Sequence, residues 1–179
     1  PVTGKTTFLQ TLMMALVTQY TPEEAQIYAM DFGSYGLRSF AEFPHVGGIA
    51  DAEEDEKLKR LAKLLTQEQA RRKKLFASLG IGSIRSYRQM ERLEQLKPLP
   101  ELVLIVDNFR TALELYPELE EFFLNLVQKG ANFGLYLAAS VAGGNALPMK
   151  FNDVKTVFTL QQTDRSKYSD LVGKLGGLY

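Results

Sequence analysis

Leu102-Val103-Leu104-Ile105-Val106-Asp107-Asn108 is an unbroken apolar run closed by a carboxylate and an amide. A strand with one solvated face alternates apolar and polar residues. A strand that is apolar at every position fits burial on both faces, the pattern of a parallel sheet covered by helices. Pro98 and Pro100 precede the run and exclude a helix continuing into it.

The segments on either side carry the complementary period. Phe8, Leu9, Leu12, Met13, Leu16 and Val17 form one helical stripe that Thr21-Pro22 ends. Ile27-Tyr28-Ala29-Met30 reads as a short buried strand closed by Asp31, and Phe43 to Gly48 as loop and strand. From Glu53 the pattern is helical, with Leu58, Leu61, Leu65, Leu75, Phe76 and Leu79 on one face and Gly80 as the stop. A further short helix fits Ser83 to Leu96. Pro117 suits a first helical position, and Leu119, Phe122, Phe123, Leu126 and Val127 give the buried stripe, with Gly130 at C′. Phe133 to Ala139 and Val154 to Leu160 read as strands, and Arg165 to Val172 as a last helix before Gly173. Strands separated by helices imply right-handed crossovers and an α/β fold with a mainly parallel sheet, flanked by helices on both faces.

The amino end carries the second signal. Thr3-Gly4-Lys5-Thr6 matches the end of the P-loop pattern G-x-x-x-x-G-K-[ST], whose first glycine would precede Pro1. In that motif successive main-chain N–H groups wrap phosphates. The following helix adds its partial positive charge. Pro1, Val2, Thr3, Gly4, Lys5, Thr6 and Thr7 are therefore the candidate ATP-binding residues. Lys5 is assigned to the β- and γ-phosphates, and the Thr6 hydroxyl to Mg²⁺ together with Asp107 at the strand end. The chain opens without Met, so the reading expects residues 1–179 to be one domain, cut from a longer chain inside this motif.

Composition narrows the chemistry. With 45% hydrophobic and 23% charged residues in 179 positions, the chain fits a soluble globular domain and excludes a disordered one. Lys plus Arg and Asp plus Glu number 21 each, so the basic excess common in nucleic-acid binders is absent and no nucleic-acid partner is expected. No cysteine is present, which excludes disulfides, thiolate metal sites and cysteine nucleophiles. The single histidine, His45, excludes a multi-histidine metal site and reads as structural.

The same strand end argues about turnover. ATP-hydrolysing P-loop proteins follow the strand Asp with a Glu that polarises the attacking water. Here Asn108 stands in that place and offers no basic carboxylate, so ATP·Mg²⁺ is expected to bind but to be hydrolysed slowly or not at all. After the next strand, where a polar sensor often approaches the γ-phosphate, the chain offers Ser140, which is short but able to hydrogen-bond.

Taken together, Gly4 to Gln10, Tyr28 to Gly33, Pro44 to Gly48, Arg71 to Phe76 and Ile105 to Phe109 resemble the FtsK/SpoIIIE branch of P-loop ATPases. Asp31-Phe32-Gly33 with Gly36-Leu37 and Pro44-His45-Val46-Gly47-Gly48 look like the EssC/EccC proteins of type VII secretion, most like the second cytoplasmic ATPase domain, with the third as runner-up. The resemblance implies a RecA-like core in a membrane-anchored, virulence-associated chain. Its partners would be neighbouring ATPase domains of the same chain, other secretion components and small helical WXG-type (Esx) cargo. It also implies homo-oligomers up to hexamers and a place on the cytoplasmic side of the membrane. Two other functions compete: a DNA-translocating ATPase domain, against which zero net charge speaks, and a docking module with a vestigial pocket.

Several residues carry both readings. Asp31 either shapes the site edge or forms the turn at Gly33. Arg71, Arg72, Lys73 and Lys74 read as a solvated helix face, with a contact to a neighbouring domain as the functional option. Arg110, Arg165 and Lys174 are undetermined candidates for an arginine or lysine acting in trans. Phe122, Phe123, Phe133 and Phe158 fit core positions, and Ala142 to Met149 reads as a connecting loop that could contact a neighbour.

Overall fold

The run closed by Asp107 is β3 (Glu101–Asp107), an inner strand of an all-parallel four-stranded sheet in a computed structural model that describes residues 4–33, 35–142 and 147–151. Its neighbours are β1 (Ala25–Asp31) on one side and β4 (Leu135–Ala139) on the other. Beyond β1 lies β2 (Val46–Asp51), so the sheet order is β2-β1-β3-β4. The expected strand from Val154 to Leu160 and the helix from Arg165 lie outside the described residues, as do Phe158 and Lys174.

Both faces of β3 are buried, as the unbroken apolar run requires. Ile105 packs with Leu9 and Met13 of α1 (Lys5–Gln19) on one face. On the other, Leu102, Leu104 and Val106 join Leu58, Leu61 and Leu65 of α2 (Asp55–Ser78). The same cluster takes in Phe109 and Ala112 of α4 (Phe109–Leu115) and Phe123 and Leu126 of α5 (Glu120–Lys129). Between α2 and β3, α3 (Ile84–Glu94) starts at Ser83, whose Oγ accepts the Ser86 N–H at 3.2 Å. The doubly covered parallel sheet is thus observed. α2 also ends as its sequence signal predicts, with Gly80 at φ 69°.

Four features depart from the expectations. The strand expected up to Gly48 runs on to Asp51, because pairing with β1 outweighs the poor strand preference of Gly47-Gly48. α4 was not foreseen, since seven residues carry too few turns to show a period. Gly130 is not a left-handed cap. It is right-handed at φ −57°, the chain continues through a 3-10 turn over Gly130–Phe133, and Gly134 takes the left-handed place at φ 76°. β4 consequently starts at Leu135 rather than Phe133. Gly130 is needed for proximity: a Cβ there would lie 2.6 Å from the Leu135 carbonyl oxygen. Gly130→Ala is expected to cost roughly 1–3 kcal/mol in a urea melt, the range for overpacking, because backbone must shift to admit the methyl group.

The fourth departure is Arg72. Its neighbours Arg71, Lys73 and Lys74 are exposed as expected of a solvated face, but Arg72 is completely buried. Its guanidinium donates to Glu68 Oε1 at 2.8 Å, the Phe133 carbonyl at 2.8 Å and the Pro100 carbonyl at 2.7 Å. It therefore clamps α2 to the start of β3 and to the turn that leads into β4. Burial alone would raise the Glu68 carboxyl. Hydrogen bonds from Arg71 and Arg72 outweigh it and hold that group below its ordinary value.

Candidate functional site

Parallel strands deliver their carboxyl ends to one edge of the sheet, where ligands of such folds gather. Register sets three aspartates there side by side. Asp31 pairs with Asp51 across β1–β2 and with Asp107 across β1–β3, and all three are buried. Their surroundings separate their roles. Asp31 accepts the N–H groups of Gly33 at 3.0 Å and Leu37 at 3.2 Å, so it forms the turn after β1. Asp51 is held by the Arg38 guanidinium. Asp107 is the one that meets the amino end of α1.

Gly4 caps α1 with φ 72°, a left-handed conformation that glycine adopts without strain. A left-handed residue followed by the right-handed Lys5 turns successive N–H groups toward one side, the geometry of an anion nest. No acidic side chain lies in the first turn of α1 to neutralise its partial positive charge. One residue on, the Thr6 hydroxyl donates to Asp107 Oδ2 at 2.8 Å, joining positions 101 residues apart in sequence. Pro1, Val2 and Thr3 lie outside the described residues. Thr7 is exposed on the first turn.

The other carboxylate oxygen is held from β4. Ser140 follows that strand directly and is buried. Its hydroxyl donates to Asp107 Oδ1 and accepts the Asn108 N–H at 2.8 Å. The main chain repeats the tie: the Ser140 N–H donates to the Val106 carbonyl at 2.9 Å, and the Phe109 N–H to the Ser140 carbonyl at 2.8 Å. Asn108 is left-handed at φ 61° and caps α4. Asn is among the few residues other than glycine that adopt this conformation readily. Its presence therefore has a backbone reason beside the loss of a carboxylate.

Some partners were not foreseeable from the sequence. A Cβ on Gly33 would lie 3.2 Å from Asp107 Oδ2, so the Asp-Phe-Gly turn leaves just enough room for that carboxylate. Gln10, one turn beyond Thr6, donates to the Gly36 carbonyl at 2.7 Å and ties α1 to the loop after β1. His45 is buried, with Nε2–H donating to the Tyr20 carbonyl at 2.5 Å, so it joins the end of α1 to the start of β2. Arg110 pairs with Glu114 within α4 at 3.0 Å.

A hydroxyl and a carboxylate are hard oxygen donors of the kind Mg²⁺ takes when phosphates and water complete its shell. Among the described residues no group of three His, Cys, Asp or Glu side chains is placed to hold a metal alone. The donor set therefore fits a cation that arrives with a phosphate ligand. When bound, such an ion would neutralise charge between phosphate oxygens. Thr6 and Asp107 are the residues that would hold it. No helix among the described residues is long and apolar enough to cross a membrane.

Comparison with known proteins agrees with this geometry. The chain is 29% identical over 157 residues to the ESX-1 secretion system protein EccCb1 of Mycolicibacterium smegmatis, covering 86% of this chain and 26% of that protein. Its fold superposes with a TM-score of 0.86 on the cytoplasmic domain of the Thermomonospora curvata type VII secretion ATPase EccC, at 28% identity over 93% of this chain and 20% of the other. It is also similar to ATPases 2 and 3 of the same EccC in complex with a signal sequence peptide, with a TM-score of 0.75 and 30% identity over 86% of this chain and 28% of that one. The chain thus spans about a quarter or less of the length of the curated relatives it matches. The FtsK/SpoIIIE family model matches residues 1–167. A P-loop closed on a strand-end aspartate, on a doubly covered parallel sheet, is what that match predicts, and the chain belongs to the FtsK/SpoIIIE family.

Proposed function

We propose that this chain is an ATP·Mg²⁺-binding domain of a type VII secretion ATPase, and that it hydrolyses ATP slowly or not at all. The observation that carries this reading is the Thr6–Asp107 hydrogen bond beside the left-handed Gly4. It sets a hydroxyl and a carboxylate together at the amino end of the helix that Lys5 begins, which supports a phosphate and cation site there. Asn108 gives the second half, because it places an amide where a water-activating carboxylate is expected. Bound nucleotide would then serve packing against neighbouring ATPase domains of a larger, membrane-anchored, oligomeric chain on the cytoplasmic side of the membrane. The cargo class is small helical WXG-type proteins. Similarity to EccCb1 and EccC supports the secretion context.

The test is a thermal melt with and without ATP·Mg²⁺. A ligand at about 100 times its Kd stabilises the folded state by about 2.7 kcal/mol. For a domain of this size that is a rise of roughly 5–10 °C. No rise at millimolar ATP with Mg²⁺ would contradict the reading.

One observation favours docking as a second activity. A groove of about 780 Å³ lies between α2 and the segment that precedes β3, lined by Tyr28, Leu64, Leu75, Leu96 and Leu99 among others. It opens near the amino ends of the strands, away from Asp107. The complex of a relative with a signal sequence peptide supports a peptide as the class of ligand to test there. A labelled signal peptide whose binding is lost in Leu64→Asp, with ATP binding retained, is the expected result. Equal peptide binding by both proteins would remove the groove from the account.

A further inference from the structure

We infer that Ser140 is a positioning residue that acts on the cation part of the nucleotide site through Asp107, instead of through the phosphate. The inference rests on the nucleotide reading above. A serine hydroxyl has one hydrogen to give and lone pairs to accept with. Both neighbours of this one have fixed roles: the Asn108 N–H only donates, and Asp107 Oδ1 accepts. The hydrogen of Ser140 is therefore committed to Asp107 Oδ1, and its oxygen to the Asn108 N–H at 2.8 Å. With its only hydrogen spent there, the side chain has none to offer a γ-phosphate.

What the arrangement does is fix a torsion. A carboxylate on a strand end rotates about its terminal bond unless both oxygens are held. Asp107 is 3% exposed and has a hydroxyl on each oxygen, Ser140 on Oδ1 and Thr6 on Oδ2. The two grips differ in origin. Thr6 comes from α1 and belongs to the nucleotide motif. Ser140 directly follows the neighbouring strand β4 and is itself locked, since its N–H and carbonyl both bond to the chain around Asp107. Gly33 closes the remaining side, 3.2 Å from Oδ2 at the position a Cβ would take. Ser140 thus holds Oδ1 so that Oδ2 stays on the Thr6 side, where a cation shared with Thr6 would sit. Charge-assisted hydrogen bonds of this kind are the stronger ones, and one from a buried, fixed donor preorganises the group it holds.

The consequence is a split between nucleotide and cation. Ser140→Ala leaves the main-chain nest and Lys5 untouched, and it frees Asp107 to rotate. A fluorescent ATP analogue is titrated into the full chain, once in EDTA and once in excess Mg²⁺. The wild-type protein is expected to bind more tightly with Mg²⁺. Ser140→Ala is expected to match the wild type within about twofold in EDTA and to lose roughly tenfold of the Mg²⁺-dependent gain. Ser140→Cys, which keeps a weak donor, is expected to fall between them. Asp107→Asn supplies the control for a merely structural role: in that background Ser140→Ala should change the Mg²⁺ gain no further. If Ser140→Ala retains the full Mg²⁺ gain, or weakens binding equally in EDTA and Mg²⁺, the inference is overturned while the nucleotide reading stands. If the wild type binds the analogue under neither condition, both are overturned.

Discussion

Lys5→Ala is expected to remove most of the ATP-dependent rise in melting temperature. Lys5 occupies the first position of α1, directly after the left-handed Gly4. Hydrogen bonds to charged groups contribute about 1.5–3 kcal/mol each. Loss of two phosphate contacts therefore weakens binding on the order of a hundredfold or more. At an ATP concentration that gives the wild type its full shift, the variant is left with a rise of at most about 1–2 °C. The nucleotide-free melt of the variant is its own reference, so a change in intrinsic stability does not disturb the comparison. An unchanged ATP-induced shift would place the ligand elsewhere.

Arg72→Ala is the second large effect, and it acts on the fold. The guanidinium satisfies two main-chain carbonyls, at Phe133 and Pro100, and one oxygen of Glu68. Removing it opens a cavity and takes the donor from the Phe133 and Pro100 carbonyls, while Glu68 keeps its bonds from Arg71; a large-to-small change of this kind costs about 2–5 kcal/mol. Arg72→Met keeps much of the volume and loses less. Arg72→Met with Glu68→Gln recovers nothing further, because Arg71 already pairs with Glu68. Urea denaturation of the three variants with unchanged m-values is the measurement. A loss below about 1 kcal/mol for Arg72→Ala would mean that the clamp holds nothing together.

The contrast between these two residues shows what sequence carries. Lys5, Thr6 and Asp107 stand out in the sequence because each sits in a pattern with a chemical reason: a glycine-led loop into a helix, and an apolar strand closed by a carboxylate; the structure adds the contact between Thr6 and Asp107. The Ile105 and Leu104 environments followed from one observation, the absence of alternation in β3. Arg72 was illegible because a basic run on a helix looks solvated, and nothing local says which of four cations faces inward. Its partners, Pro100 and Phe133, are 28 and 61 residues away. Gly130 misled for a related reason. A glycine after a helix signals a left-handed stop, whereas here the need was for space against the Leu135 carbonyl. Ser140 was legible as a polar residue at the right strand end. Its partner was not, because only the parallel register of β3 and β4 sets its hydroxyl against Asp107.

Asn108 joins the two halves of the functional account. Its left-handed backbone suits an asparagine capping α4, and its amide supplies no general base. Binding and turnover are therefore expected to separate in this domain. The most direct measurement is a calorimetric titration of ATP·Mg²⁺ with phosphate release followed in the same sample. Saturable one-site binding with release at the level of a protein-free control is the predicted result. Heat indistinguishable from dilution would contradict the account, and so would rapid phosphate release that Asn108→Ala abolishes.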